Sequence, residues 1–343
     1  MTQTPTDIAM LFPGQGAQHV GMGRDVYEAI TPARAVFDRA ERITGMELTR
    51  LCFEGPVDEL SRTDVAQPAI FTVSAAMLAS LGGLLGPDAA ATLRPRWAAG
   101  LSLGEYTALF ASGMIDFDEA LKLVTLRGRA MQRAATASPS GMVAVMGLDE
   151  AQAQQLCRDA AEGEELTCAN FNCPGQVVLS GHRSACERAA ARSERFGAKG
   201  AKMLDVAGAF HSSFMSPAAD ELAGALAAAS FRPPRSPDAA PGRDQSATPE
   251  PTQQFASDEV EVIANVDARP YAGAVEVPDK LLRQLTSPIR WQESMEYALG
   301  QGARRFYEIG PGKVLRGLLR RIDRKADCTC VNCLDAVEKL QTE

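Results

Sequence analysis

The chain has 343 residues, of which 45% are hydrophobic and 23% charged, and its formal net charge at pH 7 is −8. That length allows one large domain with an insertion, or two domains, around a substantial core. The acidic balance argues against a general nucleic-acid-binding protein, and eight cysteines in so long a chain are not the framework of a disulfide-stapled scaffold.

Neither a secretory signal nor a membrane segment is predicted from the apolar stretches. Residues 1–7 are polar and lack a basic region followed by an apolar one. The most apolar helical stretch, residues 71–85, contains two serines and two glycines, and at that length it is too short to span a bilayer. We therefore expect a buried helix there, a cytoplasmic protein with reduced cysteines, and no membrane or nucleic acid as a partner.

Short strands alternate with helices in the first part of the chain, which predicts an α/β fold with a mostly parallel sheet. Strands are expected at 8–12 and 96–99, and helical patterns at 27–44, 57–63, 67–85, 105–111 and 117–135. Beyond the middle of the chain, strands are expected at 260–266 and 306–309 and a helix at 311–324.

Between these two parts the order of elements changes. Strands at 142–147, 166–170, 176–180 and 202–206 surround helices at 149–161 and 184–196. This βαββαβ order is typical of a ferredoxin-like unit. We predict a large α/β-hydrolase-like subdomain with a mostly parallel sheet, residues 1–137 and 207–343, and an inserted small ferredoxin-like subdomain, residues 138–206. The proline-rich polar segment 233–258 is expected to be a mobile surface loop.

The stretch that says most about chemistry is Gly100-Leu101-Ser102-Leu103-Gly104, at the joint between a strand and a helix. A serine on such an elbow is held in a tight turn with its hydroxyl exposed and the following backbone N–H groups directed into the site. The glycines permit the turn, since a Cβ would collide with the neighbouring strand and helix. A glycine-rich turn without chemistry is the alternative for an isolated pentapeptide.

A serine nucleophile needs a base, and the chain has only three histidines. His19 follows the first strand, and His182 ends a strand of the small subdomain. His211 lies among small residues where the chain returns to the large subdomain, and clefts form at such junctions. His211 is therefore the candidate base, against the common alternative of a structural histidine.

Arg127 lies in the middle of a helix that is otherwise rich in apolar residues. A guanidinium surrounded by apolar groups needs an anionic partner, and its planar fork matches a carboxylate. An internal ion pair or a side chain that extends to the surface is the alternative to a substrate carboxylate.

Several segments, in order along nearly the whole chain, match those of one family. They are 12–18 (FPGQGAQ), 63–69 (TDVAQPA), 100–109 (GLSLGEYTAL), 170–176 (NFNCPGQ), 264–266 (ANV), 283–285 (RQL) and 308–312 (EIGPG). In these segments the chain resembles the malonyl-CoA:acyl carrier protein transacylases, the acyltransferases of fatty-acid synthesis. It departs from the family at Leu101, where histidine is usual, and at 233–258, which is longer than the usual connection.

The resemblance implies a ping-pong transfer of malonyl from malonyl-CoA to the phosphopantetheine thiol of acyl carrier protein, with no cofactor and no metal. Ser102 would be the nucleophile and His211 the base, with the backbone carbonyl of Gln284 orienting the imidazole. The backbone N–H groups of Gln15 and Leu103 would form the oxyanion hole. The substrate-binding positions implied are Arg127, Phe210, Gln284, Asn170 and Asn172. We expect a monomer.

Two further expectations concern specificity and docking. Ala209-Phe210-His211 resembles the malonyl-selecting pattern of the family, in which the ring of Phe210 would fill the space that an α-methyl group needs. One excess methyl in a tight pocket costs ~1–3 kcal/mol, so malonyl should be preferred over methylmalonyl. The basic run Lys313, Arg316, Arg320, Arg321, Arg324 and Lys325 is a candidate docking patch for the acidic carrier protein, against the alternative of a solvated helix face.

Other functions stay open at this point. A thioesterase-type serine hydrolase would hydrolyse its acyl-enzyme rather than transfer the group to a thiol. A degenerate carrier-binding module, suggested by Leu101, would form no acyl-serine at all. A free-standing polyketide acyltransferase would use the same chemistry with a different carrier protein. Cys328, Cys330 and Cys333 are expected to be ordinary reduced cysteines, because no fourth metal ligand is evident.

Overall fold

The computed structural model describes residues 7–233, 255 and 260–342. In chain order the strands and α-helices are β1 (Ile8–Phe12), α1 (Arg24–Ala29), α2 (Thr31–Thr44), α3 (Leu48–Glu54), α4 (Val57–Ser61), α5 (Thr63–Thr92), β2 (Trp97–Gly100), α6 (Gly104–Ala111), α7 (Phe117–Thr136), β3 (Ser140–Met146), α8 (Glu150–Ala161), β4 (Leu166–Cys173), β5 (Gln176–His182), α9 (Arg183–Arg192), β6 (Gly200–Met203), α10 (Ser216–Ala228), β7 (Glu261–Ile263), α11 (Val277–Thr286), α12 (Trp291–Gly300), β8 (Arg305–Ile309), α13 (Val314–Ile322), β9 (Asp327–Val331) and α14 (Leu334–Thr342).

A five-stranded sheet of order β7-β2-β1-β8-β9 lies at the centre, and all of its strand pairs are parallel. Along β1 the side chains alternate between two cores. Met10 and Phe12 join the hydrophobic cluster that includes α5 and α7, whereas Ala9 and Leu11 join the cluster that includes α12 and α13. Helices therefore cover both faces, as a parallel sheet requires. The predicted α/β fold with a mostly parallel sheet is confirmed.

The second sheet is antiparallel and has the order β4-β5-β3-β6. Its first and third strands in sequence are central and its helices are α8 and α9, which is the arrangement of the ferredoxin-like unit. Asp149 begins α8 with a capping box, in which its side chain accepts from the backbone of Gln152 and the Gln152 side chain accepts in return. The predicted separate small sheet is confirmed, whereas the boundaries 138–206 stay a prediction.

Helix α5 is longer than the sequence suggested. Residues Thr63–Leu84 are apolar and long enough, by length and composition, to cross a membrane, so the expectation of a stretch too short to do so was wrong. The glycine pair at 82–83 lies within the helix, and a Cβ on Gly83 would come within 3.1 Å of the Pro32 ring. The apolar window is wholly buried, which agrees with the expected buried helix.

Several other elements also differ from their predicted bounds, among them the following three. The helix expected at 27–44 is broken at Ile30, whose backbone is extended, because Pro32 favours the start of a new helix. The strand expected at 260–266 ends at Ile263, after which the Ala268 N–H donates to the Ala264 carbonyl in a turn. The strand expected at 202–206 lies at Gly200–Met203, in register with β3. The predicted loop 233–258 lies outside the described residues except for Pro233 and Phe255.

Candidate active site

Ser102 lies in a tight turn between β2 and α6, with a backbone φ of 52°. The flanking glycines are sterically required. A Cβ on Gly100 would come within 1.9 Å of the Gly104 backbone, and one on Gly104 within 2.1 Å of the Phe12 carbonyl oxygen. The Ser102 N–H donates to Asn265 Oδ1 at 2.7 Å, which anchors the turn from outside. The sequence therefore builds the sharp elbow that presents a serine hydroxyl.

His211 lies against this hydroxyl. The Ser102 hydroxyl donates to His211 Nε2 at 2.9 Å, and His211 Nδ1–H donates to the backbone carbonyl of Gln284 at 2.8 Å. Burial, followed by the charge of Arg127, lowers the pKa of His211 from 6.5 to about 4. The imidazole is therefore neutral at pH 7, with Nε2 free to accept a proton. A backbone carbonyl takes the place that a carboxylate holds in a Ser-His-Asp triad.

Arg127 points from α7 into the same site and is only 1% exposed. Its Nη2 donates to Ser102 Oγ at 3.0 Å and to Gln284 Oε1 at 2.9 Å, and its Nη1 donates to Gln67 Oε1 at 2.6 Å. All three acceptors are neutral, and within the described residues the guanidinium has no ion pair with a carboxylate. Its Nε–H is buried and has no partner in that part of the chain either. Burial lowers the pKa of Arg127. A buried cation that lies beside a nucleophile and has no carboxylate in direct contact can bind an anion.

A buried hydrogen-bond network lies behind the site. Gln284 Nε2 donates to the Ser102 carbonyl at 2.9 Å and to Glu105 Oε2 at 2.6 Å. Glu105 also accepts from the Asn265 N–H at 3.2 Å and from the Tyr271 hydroxyl. Burial raises the pKa of Glu105 to about 7, although these donors oppose the shift. The network joins α6, α11 and the turn after β7 beneath the elbow.

The two backbone N–H groups expected to bind an oxyanion lie on either side of the elbow. Leu103 follows the serine, and Gln15 follows Gly14, at which a Cβ would come within 2.4 Å of the Leu101 carbonyl oxygen. Neither N–H donates a hydrogen bond within the described chain. The side chain of Gln15 is turned away, with Nε2 donating to Thr63 Oγ1 at 3.3 Å. Two unpaired backbone donors thus lie close to the serine turn.

The other sequence-predicted positions are Phe210, Asn170 and Asn172. Phe210 is buried directly before His211, and its carbonyl accepts from Ser180 Oγ at 2.7 Å, which ties this segment to β5. Asn170 lies where β4 bridges to Ile289, and the Asn172 Oδ1 is buried without a partner among the described residues. Neither asparagine has a side-chain hydrogen bond to Ser102, His211 or Arg127. Their assignment to substrate binding stays a prediction.

Within the described residues, no cluster of three or more His, Cys, Asp or Glu could hold a metal ion. All eight cysteines are free thiols, among them Cys328, Cys330 and Cys333.

Comparisons with known proteins give the family. A model of the acyl transferase domain matches residues 9–270. The malonyl CoA-acyl carrier protein transacylase of Escherichia coli strain K12 is 40% identical over 320 residues, which cover 92% of this chain and 93% of the relative. The chain belongs to this transacylase family. The family consists of acyltransferases, so the resemblance inferred from the motifs is confirmed.

Solved structures of the transacylase family have the same fold. The malonyl CoA-acyl carrier protein transacylase of Coxiella burnetii has a TM-score of 0.86 at 34% identity and covers 98% of both chains. A malonyl-transacylase solved in complex with its type II PKS acyl-carrier protein has a TM-score of 0.85 at 34% identity, covering 98% of this chain and 99% of that one. In that relative, an acyl-carrier protein is the partner.

Sequence reasoning missed four side chains of the network in this transacylase-family member. Gln67, Glu105 and Asn265 stand inside the matched segments but received no role, and Tyr271 lies outside them. A family motif includes these positions, but it does not show which of their atoms form hydrogen bonds with one another. Tyr271 could not have been found from its neighbours in sequence, since its partner Glu105 is 166 residues away.

Proposed function

We propose that this protein transfers a malonyl group from malonyl-CoA to the phosphopantetheine thiol of an acyl carrier protein, through an acyl-enzyme on Ser102. It needs no cofactor or metal for this chemistry, acts in the cytoplasm and is a monomer. The large subdomain, residues 1–137 and 207–343, carries the nucleophile, and the small subdomain, residues 138–206, closes one side of the site.

In the first half-reaction Ser102 Oγ attacks the thioester carbonyl while His211 Nε2 takes the hydroxyl proton. The imidazolium that forms keeps its Nδ1–H on the Gln284 carbonyl, 2.8 Å away. The backbone N–H groups of Gln15 and Leu103 hold the oxyanion, and each such donor is worth ~3 kcal/mol of barrier. The intermediate collapses, and the proton passes from His211 to the departing CoA thiolate.

In the second half-reaction the neutral imidazole takes the proton of the phosphopantetheine thiol. The thiolate attacks the acyl-serine carbonyl, and the proton returns from His211 to Ser102 Oγ as the bond to serine breaks. The malonyl carboxylate remains paired with Arg127 through both steps. Phe210 limits the space beside the α-carbon and so favours malonyl over methylmalonyl.

One observation carries the choice of acyl group. The guanidinium of Arg127 is buried, donates to Ser102 Oγ at 3.0 Å, and has no carboxylate partner within the described residues. A simple acyl chain would leave this guanidinium without a carboxylate in direct contact, whereas the malonyl carboxylate would pair with it. A hydrolase for uncharged acyl groups has no use for such a residue.

Mass spectrometry of the intact protein after incubation with malonyl-CoA tests the proposal. We expect a malonyl adduct that maps to Ser102, is absent in Ser102→Ala, and is discharged by an acyl carrier protein bearing phosphopantetheine. The absence of an adduct would support a carrier-binding module. Loss of the adduct to water faster than to the carrier protein would support a thioesterase-type hydrolase.

A polyketide role is the second candidate, because one close structural relative was solved with a type II PKS acyl-carrier protein. The chemistry is the same, and only the acceptor differs. Discharge rates of the acyl-enzyme to a fatty-acid carrier and to a polyketide carrier, measured side by side, decide between the two pathways.

A further inference from the structure

The carboxyl group of Glu105 takes no part in the proposed acyl transfer, although it is central to the hydrogen-bond network behind the site. Glu105 is 0% exposed and lies on α6, three residues after the nucleophile. A buried carboxyl group is costly unless its oxygens are satisfied. Here Oε2 accepts from Gln284 Nε2 and the Asn265 N–H, and Oε1 accepts from the Tyr271 hydroxyl.

The side-chain amide of Gln284 connects Glu105 to the reacting groups. Its two N–H donors meet Glu105 Oε2 and the Ser102 carbonyl, which leaves its oxygen to accept from Arg127 Nη2 at 2.9 Å. If the amide were turned over, its oxygen would face two oxygens and its NH2 would face the guanidinium. Because Glu105 Oε2 accepts from the Gln284 NH2, it strongly favours the orientation of the Gln284 amide in which the amide oxygen accepts from Arg127.

We propose that Glu105 is a positioning residue for acyl selection. Through the Gln284 amide it holds the Arg127 guanidinium against the Ser102 hydroxyl, and it thereby sets the preference for acyl groups that end in a carboxylate. The inference rests on the proposed function, since it takes Arg127 to bind the malonyl carboxylate. Glu105 touches neither the substrate nor the reacting atoms.

Two substitutions of similar size separate this role from simple packing. In Glu105→Gln, the amide oxygen takes the place of Oε2 and accepts from Gln284 and Asn265, and the amide NH2 donates to the Tyr271 oxygen. Glu105→Leu fills much of the same volume but accepts nothing, so the Gln284 amide loses its anchor. The first variant should preserve the position of Arg127, and the second should not.

The measurement is the initial rate of Ser102 acylation by malonyl-CoA and by acetyl-CoA, which has no terminal carboxylate. We expect Glu105→Leu to lower the malonyl-to-acetyl rate ratio about tenfold, a loss of ~1.4 kcal/mol in selectivity. Glu105→Gln should keep the ratio within about twofold of wild type. An equal loss with both donors, or a loss in Glu105→Gln as large as in Glu105→Leu, would overturn the inference.

Gln284→Met keeps the test decisive if Glu105→Leu does not fold. It removes the amide but retains the backbone carbonyl that holds His211, and it should lower the ratio as much as Glu105→Leu. An unchanged ratio in Gln284→Met contradicts the inference.

Glu308 provides the matched control for loss of a buried carboxyl group. It is also 0% exposed, but it accepts from the backbone of Leu315 and Arg316 at 2.9 and 2.8 Å, and neither of these residues belongs to the network around Gln284. Glu308→Leu should lower stability and leave the ratio unchanged. Failure of the wild type to form an adduct on Ser102 would count against the proposed function itself. If the wild type forms the adduct normally but the malonyl-to-acetyl rate ratio is the same in all variants, the result would count against the role of Glu105 alone.

Discussion

Ser102 and His211, the proposed nucleophile and base, both have left-handed backbone conformations, with φ of 52° and 57°. Non-glycine residues seldom adopt this region, and it persists only where the surroundings impose it. Asn265 and Gln284 impose it on Ser102 by holding its N–H and its carbonyl. The strained turn directs the serine hydroxyl towards the imidazole, so the backbone conformation helps to align the two groups for proton transfer.

The pKa of His211 leads to a prediction about the pH dependence of acylation. A protonated imidazole cannot accept the serine proton, so activity disappears as the pH falls through the pKa of His211. Because that pKa is lowered to about 4 rather than 6.5, the acid limb of kcat/KM for malonyl-CoA should lie well below pH 6.5. Stopped-flow measurement of CoA release gives the dependence of kcat/KM on pH. The measurements run from pH 4 to pH 8, with on the order of one point per half pH unit.

The charge of Arg127 is the second cause of that low pKa, after burial. Arg127→Gln removes the charge and leaves the burial, so the acid limb should move upwards yet stay below 6.5 while the rate falls. Circular dichroism at each pH separates this shift from acid unfolding. An acid limb near 6.5 in the wild type, or no movement in Arg127→Gln, would show that His211 is not held neutral in this way.

The sequence predicted the reacting residues of the candidate site better than the residues that support them. Ser102 stands in a local motif, and the scarcity of histidines narrowed the choice of base to three residues. Glu105 and Tyr271 act through contacts between segments far apart in the chain, and such contacts leave no local pattern. Leu101, the departure beside the nucleophile, packs as a partly buried residue against the cluster that contains Leu11 and Trp97, and its carbonyl lies against Gly14.

Helix α13, which carries exposed basic residues, is supported at its start by a buried carboxyl group. Glu308, at the end of β8, accepts from the backbone N–H groups of Leu315 and Arg316 and so satisfies two donors at the start of the helix. The helix places the basic run on the surface: Lys313, Arg316, Arg320, Arg321, Arg324 and Lys325 are all exposed. In the described part of the chain none of the six forms an ion pair, so this ridge presents its charge to solvent.

This basic ridge is a candidate docking site for an acidic carrier protein. Its start lies close to the Gln15 turn, since a Cβ on Gly312 would be 3.3 Å from the Ala17 carbonyl oxygen. Arg320→Glu with Arg321→Glu should raise KM for the carrier protein about fivefold and leave KM for malonyl-CoA unchanged, because the proposed role of this ridge is to bind the carrier protein and not CoA. Initial rates with each substrate varied in turn give both constants.

The matched control reverses two exposed basic residues elsewhere, Arg195→Glu with Lys199→Glu, and changes the net charge equally. Arg321 also donates weakly to Pro174 and Gln176 of the β4–β5 hairpin, at 3.4 and 3.3 Å. The single variant Arg320→Glu therefore separates docking from any disturbance of the hairpin. Equal effects in the control pair would assign the change to net charge and not to the ridge.

Elements with a strong local pattern could be predicted, and those defined by tertiary pairing could not. The apolar run at Ile8–Phe12 and the periodic helix Phe117–Thr136 agree with their predicted bounds within a residue. Strand β6 was displaced because its position is set by pairing with β3 rather than by its own residues. Helices α3, α10, α11, α12 and α14 were not predicted, and among them α11 supplies Gln284.

At the scale of the whole molecule, the candidate site forms where the two sheets are joined. Ile289, just before α12, exchanges backbone hydrogen bonds of 2.8 and 2.9 Å with Ala169 and Phe171 of β4. The segment that carries His211 follows the last strand of the small sheet, and Ser102 follows a strand of the large one. The pair therefore depends on a fixed arrangement of both parts of the chain.

The stability of the whole molecule should reflect the buried carboxyl group of Glu105. Its pKa is about 7 in the folded protein and about 4.5 in an unfolded chain, so the folded state holds the proton more tightly. The contribution of the protonated Glu105 carboxyl group to the free energy of unfolding is fully present below pH 4.5 and is lost as the pH rises through 7. Glu105→Gln does not titrate, so its free energy of unfolding should gain about 3 kcal/mol relative to wild type between pH 4.5 and pH 8.

Urea unfolding at a series of pH values measures this difference, with the fluorescence of the fully buried Trp97 and Trp291 as the probe. All other titrating groups are common to both proteins and cancel in the comparison. Glu296→Gln, the same change at an exposed glutamate on α12, provides the baseline. A difference between Glu105→Gln and wild type that stays constant with pH would mean that Glu105 is ionised throughout. Its carboxylate would then be the missing counter-charge for Arg127 before the substrate arrives.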